Sequence, residues 1–185
     1  SSDVCSSDLN DISNEAFPFG TSKIIEVGPT RIRATRITYV GELGYELYIP
    51  TEFAACLFDL IMEKGGAHGL KLAGYHAMNS LRMEKAYRHW SHDITPEDSP
   101  LEAGLGFCVA WEKKGGFIGR EALLKQREQG ITRRLAQFLI SDPDAMLYHD
   151  EPIWRDGKRI SRLTSAMYGY KRSEEHTSEL QSRQY

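Results

Sequence analysis

The sequence predicts an α+β fold, and three observations carry that prediction. A β-branched run at residues 30–40, TRIRATRITYV, is followed across Gly41 and Gly44 by YELYI, which together read as a hairpin. Two stretches with apolar residues at helical spacing come next, within residues 52–87. Further on, Asp156 and Gly157 sit between PIWR and KRISRLT as the turn of a second hairpin. Strands and helices mixed in this way, without strict alternation, belong to the α+β class.

Each element has a local reason. In the first strand Arg31, Arg33 and Arg36 interleave with Ile32, Ala34, Ile37 and Val40, so at least one face is wet. In the second, Tyr45, Leu47 and Ile49 share one face, and Glu46 and Tyr48 the other. Pro50 and Thr51 stop that strand. Thr51 is expected to cap a helix starting at Glu52, whose buried stripe is Phe53, Leu57, Leu60 and Ile61. Gly65 and Gly66 end it, with Lys64 favourably placed in its last turn. A second helix is expected from about Tyr75 to Tyr87, turning Ala77, Met78, Leu81 and either Met83 or the stem of Lys85 inward. RHWSHDITPEDSP, residues 88–100, is polar and twice broken by proline, so it reads as a loop or domain boundary. Beyond it the pattern predicts a strand at Leu105 to Trp111, a short helix at Arg120 to Gln129 and a strand at Arg134 to Ile140.

The two ends read differently from this middle. SSDVCSSDL at residues 1–9 and RSEEHTSEL at residues 172–180 can be encoded on opposite strands of one duplex, which resembles a sequencing-library adapter. Residues 1–9 and 172–185 are therefore expected to be adapter-derived and foreign to the fold, and the middle to be an internal fragment of a longer protein. Leaving out Asp3, Asp8, Glu174, Glu175 and Glu179 takes the acidic count from 26 to 21, and leaving out Arg172 and Arg183 takes the basic count from 23 to 21. The middle is formally neutral. It offers no broad cationic field for nucleic acid or an anionic membrane. Cys56 and Cys108 remain there, too few for a disulfide framework and in keeping with a reducing compartment; both are expected to be buried, inert thiols.

Several chemical motifs fail on inspection. GLGFCV at 104–109 begins like a dinucleotide loop but lacks the third glycine and a following helix. His89, His92 and Asp93 lie close in sequence, yet two histidines three apart in a loop are a weak metal signature. Arg82 says more. It sits beside the apolar stripe of its helix, where a guanidinium needs an anionic partner, either an intrachain carboxylate near Glu84 or on a strand, or an anionic ligand. Glu46 lies among Tyr39 and Tyr48, and a carboxylate beside aromatic rings is what a flat heterocycle with paired edge donors requires, although an outward strand glutamate is commonly just solvated.

Taken together, ITYVGELGYELYIP, AGYHAMNSLRMEKAYRHWSHDITPEDSPLEAGLGF, FIGREALL and EPIWRDGKRISRLTSAMYGY resemble the folate-binding aminomethyltransferase family of the glycine cleavage T-protein, over nearly all of residues 17–171. FPFGT and YRHWSHDITPEDSPLEAGL look closest to the C-terminal folate domains of FAD-dependent sarcosine and dimethylglycine dehydrogenases. The resemblance implies part of a folate-binding domain at residues 10–99, followed by a truncated, mostly β, barrel-like C-terminal domain at residues 100–171. It implies tetrahydrofolate as ligand, with Glu46 on the pterin edge, Tyr39 against the folate, Arg82 as a further contact and Trp90 as the loop aromatic, Tyr87 matching less well. The family's catalytic aspartate comes from an upstream segment and has no match here; a flavin domain carrying FAD is likewise expected upstream. The implied reaction is oxidation of an N-methyl amine, with the one-carbon unit captured as 5,10-methylenetetrahydrofolate. No nucleic-acid or membrane partner is expected, and the compartment is cytoplasmic, or the mitochondrial matrix in a eukaryote. Alternatives are a stand-alone T-protein and a non-catalytic regulatory relative. The iron-sulfur maintenance relatives are disfavoured, because KGGFIGRE puts Gly116 and Arg120 where their signature has cysteine and glutamine.

Overall fold

The computed structural model describes residues 11–142 and 144–170 and the strand backbone of 178–184. The chain divides into two compact units, Ser1–Tyr75 and His76–Tyr185, so the loop at 88–100 lies inside the second unit.

The first unit is a three-stranded antiparallel sheet with a helix. Strands β1 (Ser22–Val27), β2 (Thr30–Thr35) and β3 (Glu46–Tyr48) lie in that order, β1 pairing β2 from Ser22↔Thr35 to Val27↔Thr30 and β2 pairing β3 from Arg33↔Tyr48 to Thr35↔Glu46. The hairpin at 30–49 is there. It supplies two of the sheet's three strands: β1 precedes it, turned at Gly28, whose φ is +55° and where a Cβ would come within 2.7 Å of Leu60 Cδ2. Glycine is the residue that fits both constraints. Phe17, Ile25, Ile32, Ala34 and Leu57 form the core, with Val27, Tyr45, Ile49 and Phe53 packed against it. Leu57 comes from helix α1 (Ala54–Gly66), so one apolar stripe seats the helix on the sheet.

Two local expectations change. Thr51 does not cap α1: Thr51–Phe53 forms a 3₁₀ turn with no side-chain capping bond, closed by Phe53 N–H donating to Pro50 O at 2.9 Å. Leu47 is 39 % exposed and shares the open surface with Glu46 and Tyr48, because β3 is a three-residue strand at the sheet edge with little above it.

In the second unit α2 (Tyr75–Glu84) buries Ser80, Arg82, Met83 and Glu84, so its inward face is largely polar; Ala77, expected inside, is exposed, and of the alternatives Met83 and Lys85 it is Met83 that is buried. The predicted strand at Leu105 to Trp111 is absent. Gly106–Cys108 is a 3₁₀ turn, with Cys108 N–H bonded to Leu105 O, Val109 N–H to Gly106 O and Trp111 Nε1 to Gly106 O. A short apolar run does not by itself distinguish a strand from a turn, and Gly104 at φ +69° bends the chain before one can start. Phe107 consequently stands 83 % exposed. Helix α3 (Arg120–Gln129) and strand β4 (Arg134–Ile140) fall where the pattern puts them. So does the hairpin of β5 (Pro152–Arg155) and β6 (Lys158–Tyr168), whose turn residues Asp156 and Gly157 have φ +51° and +74°, as an Asp-Gly two-residue turn requires.

The second sheet has the order β4-β7-β6-β5. Its β7 (Ser178–Gln184) falls inside the stretch expected to be foreign to the fold, and pairs antiparallel with both β4 and β6. Pairing of this kind needs only open rows of N–H and C=O groups, which nearly any proline-free segment supplies. The expected foreign segment at 1–9 lies outside the described residues.

Candidate functional site

The first unit holds Tyr39 and Glu46 at either end of the glycine-rich segment. Just after β2, Arg36 turns its side chain inward on the same face as Ile32 and Ala34, its N–H still donating to Thr21 O and its C=O accepting from Gly20 N–H. Its guanidinium is 8 % exposed, donates to Phe17 O at 2.6 Å and to Asn14 Oδ1, and lies 5.8 Å from the Tyr45 ring centroid. Thr38 Oγ1 then accepts Val40 N–H at 3.2 Å and Gly41 N–H at 3.0 Å, a local turn that ends the extended run before Val40. Tyr39 is half-buried. Tyr45 is anchored by its hydroxyl on Ile12 O at 2.7 Å and by a tilted ring contact with Phe17.

Glu46 is exposed and accepts the Tyr48 hydroxyl at 2.9 Å. That bond, with the carboxylate's charge, raises the Tyr48 phenol above its ordinary range. A carboxylate with an aromatic hydroxyl on one oxygen keeps acceptor capacity for two further donors.

The second unit holds Arg82 and Trp90, and here the sequence argument for an acid opposite Arg82 is answered. The partner is Asp93: Arg82 Nη1 lies 2.7 Å from Asp93 Oδ2, with the two side chains 3 % and 0 % exposed. Asp93 lies in the loop at 88–100, neither near Glu84 nor on a strand, where the sequence places the partner. The signal in the sequence that points to it is the guanidinium itself, which beside an apolar stripe requires an acidic partner. Arg82 also donates to Tyr87 O at 3.1 Å, to Ser165 Oγ at 3.0 Å and to Asn79 Oδ1 at 3.3 Å. Asp93 in turn accepts Thr164 Oγ1 at 2.6 Å and Ser165 Oγ at 2.7 Å on Oδ1, and His89 N–H at 2.8 Å on Oδ2. Successive strand side chains normally point to opposite faces, so two neighbouring hydroxyls on one oxygen need a cause. The cause is a register shift between Leu163 and Ser165, a bulge that turns consecutive side chains inward.

Trp90, between the Asp93-bound His89 and Ser91, is 60 % exposed. His89 and His92 stack with ring centroids 4.5 Å apart, and burial, then His92 and Arg82, lower the His89 pKa from its ordinary 6.5. Among the described residues no group of His, Cys, Asp and Glu could hold a metal ion, and no helix is long and apolar enough to cross a membrane. Cys56 and Cys108, expected to be buried, are both exposed: one faces out from α1 and the other follows the chain into the 3₁₀ turn. An open groove of about 680 Å³ is lined by residues between Pro96 and Leu123, including Cys108, Phe117 and Ile118; none of Tyr39, Glu46, Arg82 and Trp90 lines it.

Comparison with known proteins agrees with this architecture. The family described as GCVT N-terminal domain matches residues 1–113, and the glycine cleavage T-protein C-terminal barrel domain matches residues 133–174. Human mitochondrial sarcosine dehydrogenase is 45 % identical over 160 residues, covering 86 % of this chain and 17 % of that protein. Human mitochondrial dimethylglycine dehydrogenase is 39 % identical over 160 residues, covering 86 % of this chain and 18 % of its own length. The chain thus spans under a fifth of these relatives. The crystal structure of glycine cleavage system aminomethyltransferase T from Bartonella henselae superposes with a TM-score of 0.67 at 26 % identity, over 88 % of this chain and 44 % of that one. The two matched regions, in chain order on an α+β framework, place the chain in the glycine cleavage T-protein family, as an aminomethyltransferase-like domain related to sarcosine and dimethylglycine dehydrogenases.

Proposed function

We propose that this chain is part of a tetrahydrofolate-binding domain whose full-length protein is an FAD-dependent N-methyl amine dehydrogenase, passing a one-carbon unit to the folate as 5,10-methylenetetrahydrofolate. The supporting observation is the Glu46 carboxylate, exposed on an edge strand and oriented by the Tyr48 hydroxyl. The donor set fits: the 2-amino group and ring N–H of a reduced pterin present paired donors, and a carboxylate presents paired acceptors. Tyr39 supplies an aromatic surface in the same unit. In the second unit Arg82 and Trp90 are proposed folate contacts too, the guanidinium 3 % exposed and held by Asp93 and Ser165, and the indole exposed.

Bound there, the folate would supply the nitrogen that captures a one-carbon unit. The chain's own residues bind and orient it. No described residue is assigned proton transfer, since the family's aspartate belongs to an upstream segment. FAD is assigned to a domain of the longer protein: the glycines at 104–109 lead into a 3₁₀ turn, which gives a dinucleotide no strand–helix junction. The mitochondrial relatives make the matrix the proposed compartment in a eukaryote.

Glu46→Gln tests the reading. The amide turns a donor toward donors, so tetrahydrofolate binding by the chain, followed by calorimetry, should weaken by about 2 kcal/mol or more, roughly thirtyfold in Kd. Affinity equal to the unsubstituted chain rejects the role of Glu46.

A further inference from the structure

Asp93 takes no part in the proposed ligand contacts, yet it is the most enclosed charged side chain among the described residues, at 0 % exposure. A fully buried carboxylate persists only where donors surround it. Here they come from three places: α2 through Arg82, β6 through Thr164 and Ser165, and the loop itself through the His89 amide. The Arg82 Nη2–H also donates to Ser165 Oγ, whose own proton goes to Asp93 Oδ1, which closes a ring of hydrogen bonds around the carboxylate.

The loop closes on Asp93 and on its neighbour Ile94. Asp93 N–H donates back to His89 O at 2.8 Å, Ser91 N–H donates to Ile94 O at 2.8 Å, and Trp90 pairs with Ile94 in an isolated bridge. Ser91, at φ +66°, makes the reversal in a left-handed conformation that a serine adopts only under constraint. Trp90 therefore sits between two fixed peptide groups, with its side chain 60 % exposed.

We infer that Asp93 is a positioning residue, one whose carboxylate fixes the His89 peptide just before Trp90 and anchors the loop to α2 and β6, so that the exposed indole is presented in one place on the second unit. Its geometry stands alone, whereas its use for ligand rests on the folate reading above. A rigid indole loses few torsions on binding, so fixing its backbone in advance lowers the ordering cost of stacking against a flat ligand.

Two variants of the chain test this. Asp93→Asn keeps an acceptor for Thr164 and Ser165 but turns an amide donor toward Arg82 and the His89 N–H. Thr164→Val with Ser165→Ala leaves the Arg82 pair in place and removes the anchor to β6. Each is followed by fluorine NMR of fluorotryptophan-labelled chain, which carries three tryptophans, the Trp90 line being assigned with Trp90→Phe. Each is also titrated with tetrahydrofolate. The expected result is cooperative unfolding, a shifted or broadened Trp90 line, Trp154 unmoved, and tetrahydrofolate affinity lower by about tenfold. If the unsubstituted chain binds no tetrahydrofolate while the Trp90 line still moves in the variants, the folate reading fails and the positioning role stands. An unmoved Trp90 line in the hydroxyl variant overturns the inference whether or not Asp93→Asn folds. So does a moved line with unchanged tetrahydrofolate affinity in a chain that binds it, and so does loss of cooperative folding in both variants, which would make Asp93 a support of the fold alone.

Discussion

Replacing Arg82 by methionine should destabilise the second unit strongly, for a reason that can be put in numbers. The substitution keeps much of the side-chain volume and removes the charge, leaving Asp93 at 0 % exposure without its guanidinium. Breaking a buried ion pair by removing one partner costs about 3–5 kcal/mol, because the remaining charge is enclosed and uncompensated. The lower end of that range applies here, since Asp93 keeps the Thr164 and Ser165 hydroxyls and the His89 amide. A loss of about 3 kcal/mol should move the urea midpoint by about 1–3 M at ordinary slopes. The assay is equilibrium urea unfolding of the chain, Arg82→Met, Asp93→Asn and the double variant, read as a double-mutant cycle. The double variant should lose well under the sum of the singles, by about 1 kcal/mol or more. Additive losses, or an Arg82→Met cost under about 1 kcal/mol, would refute the claim that this pair is electrostatically coupled in a dry interior.

Three further outcomes follow from other parts of the molecule. Leu57→Ala removes a fully buried side chain from the only α1 contribution to the first unit's core cluster among the described residues, and should cost about 2–5 kcal/mol in urea unfolding; a cost below about 1 kcal/mol would mean that α1 does not rest on the sheet through Leu57. Gly157→Ala meets no atom within 4 Å of the new Cβ, so its cost is the positive φ alone, about 1 kcal/mol, measurable as a lowered urea midpoint; no shift would argue against this turn geometry. His89 should titrate below 6.5 by proton NMR, since burial, His92 and Arg82 all disfavour its charged form. A depressed folded-state pKa means that the unfolded chain takes up the proton first, so this group's contribution is complete above 6.5 and declines as pH falls through the folded pKa. An Asp93→Asn chain, having lost the one charge that favours the imidazolium, should show a still lower value.

What the sequence determined by itself is local. The position of α3, the span of β4 and the Asp156-Gly157 hairpin follow from signals that act over a few residues: apolar spacing, punctuation by glycine and a two-residue turn that demands positive φ. So does the demand for an acid opposite Arg82. Wherever the outcome depended on what lies across space, the pattern was insufficient. Residues 105–111 are apolar enough for a strand, but among the described residues none forms a ladder with them, and the glycines beside them allow a turn instead. Thr51 is a good capping residue by type, yet the chain enters α1 through a 3₁₀ turn begun at Pro50. Most of all, Asp93 looks like an ordinary loop carboxylate until β6, with its bulge at Thr164, supplies two hydroxyls from 71 and 72 residues away. Desolvation made the difference: a carboxylate in water carries no information about its partners, whereas one taken out of water must be matched donor by donor, and those donors come from segments that only the folded chain brings together.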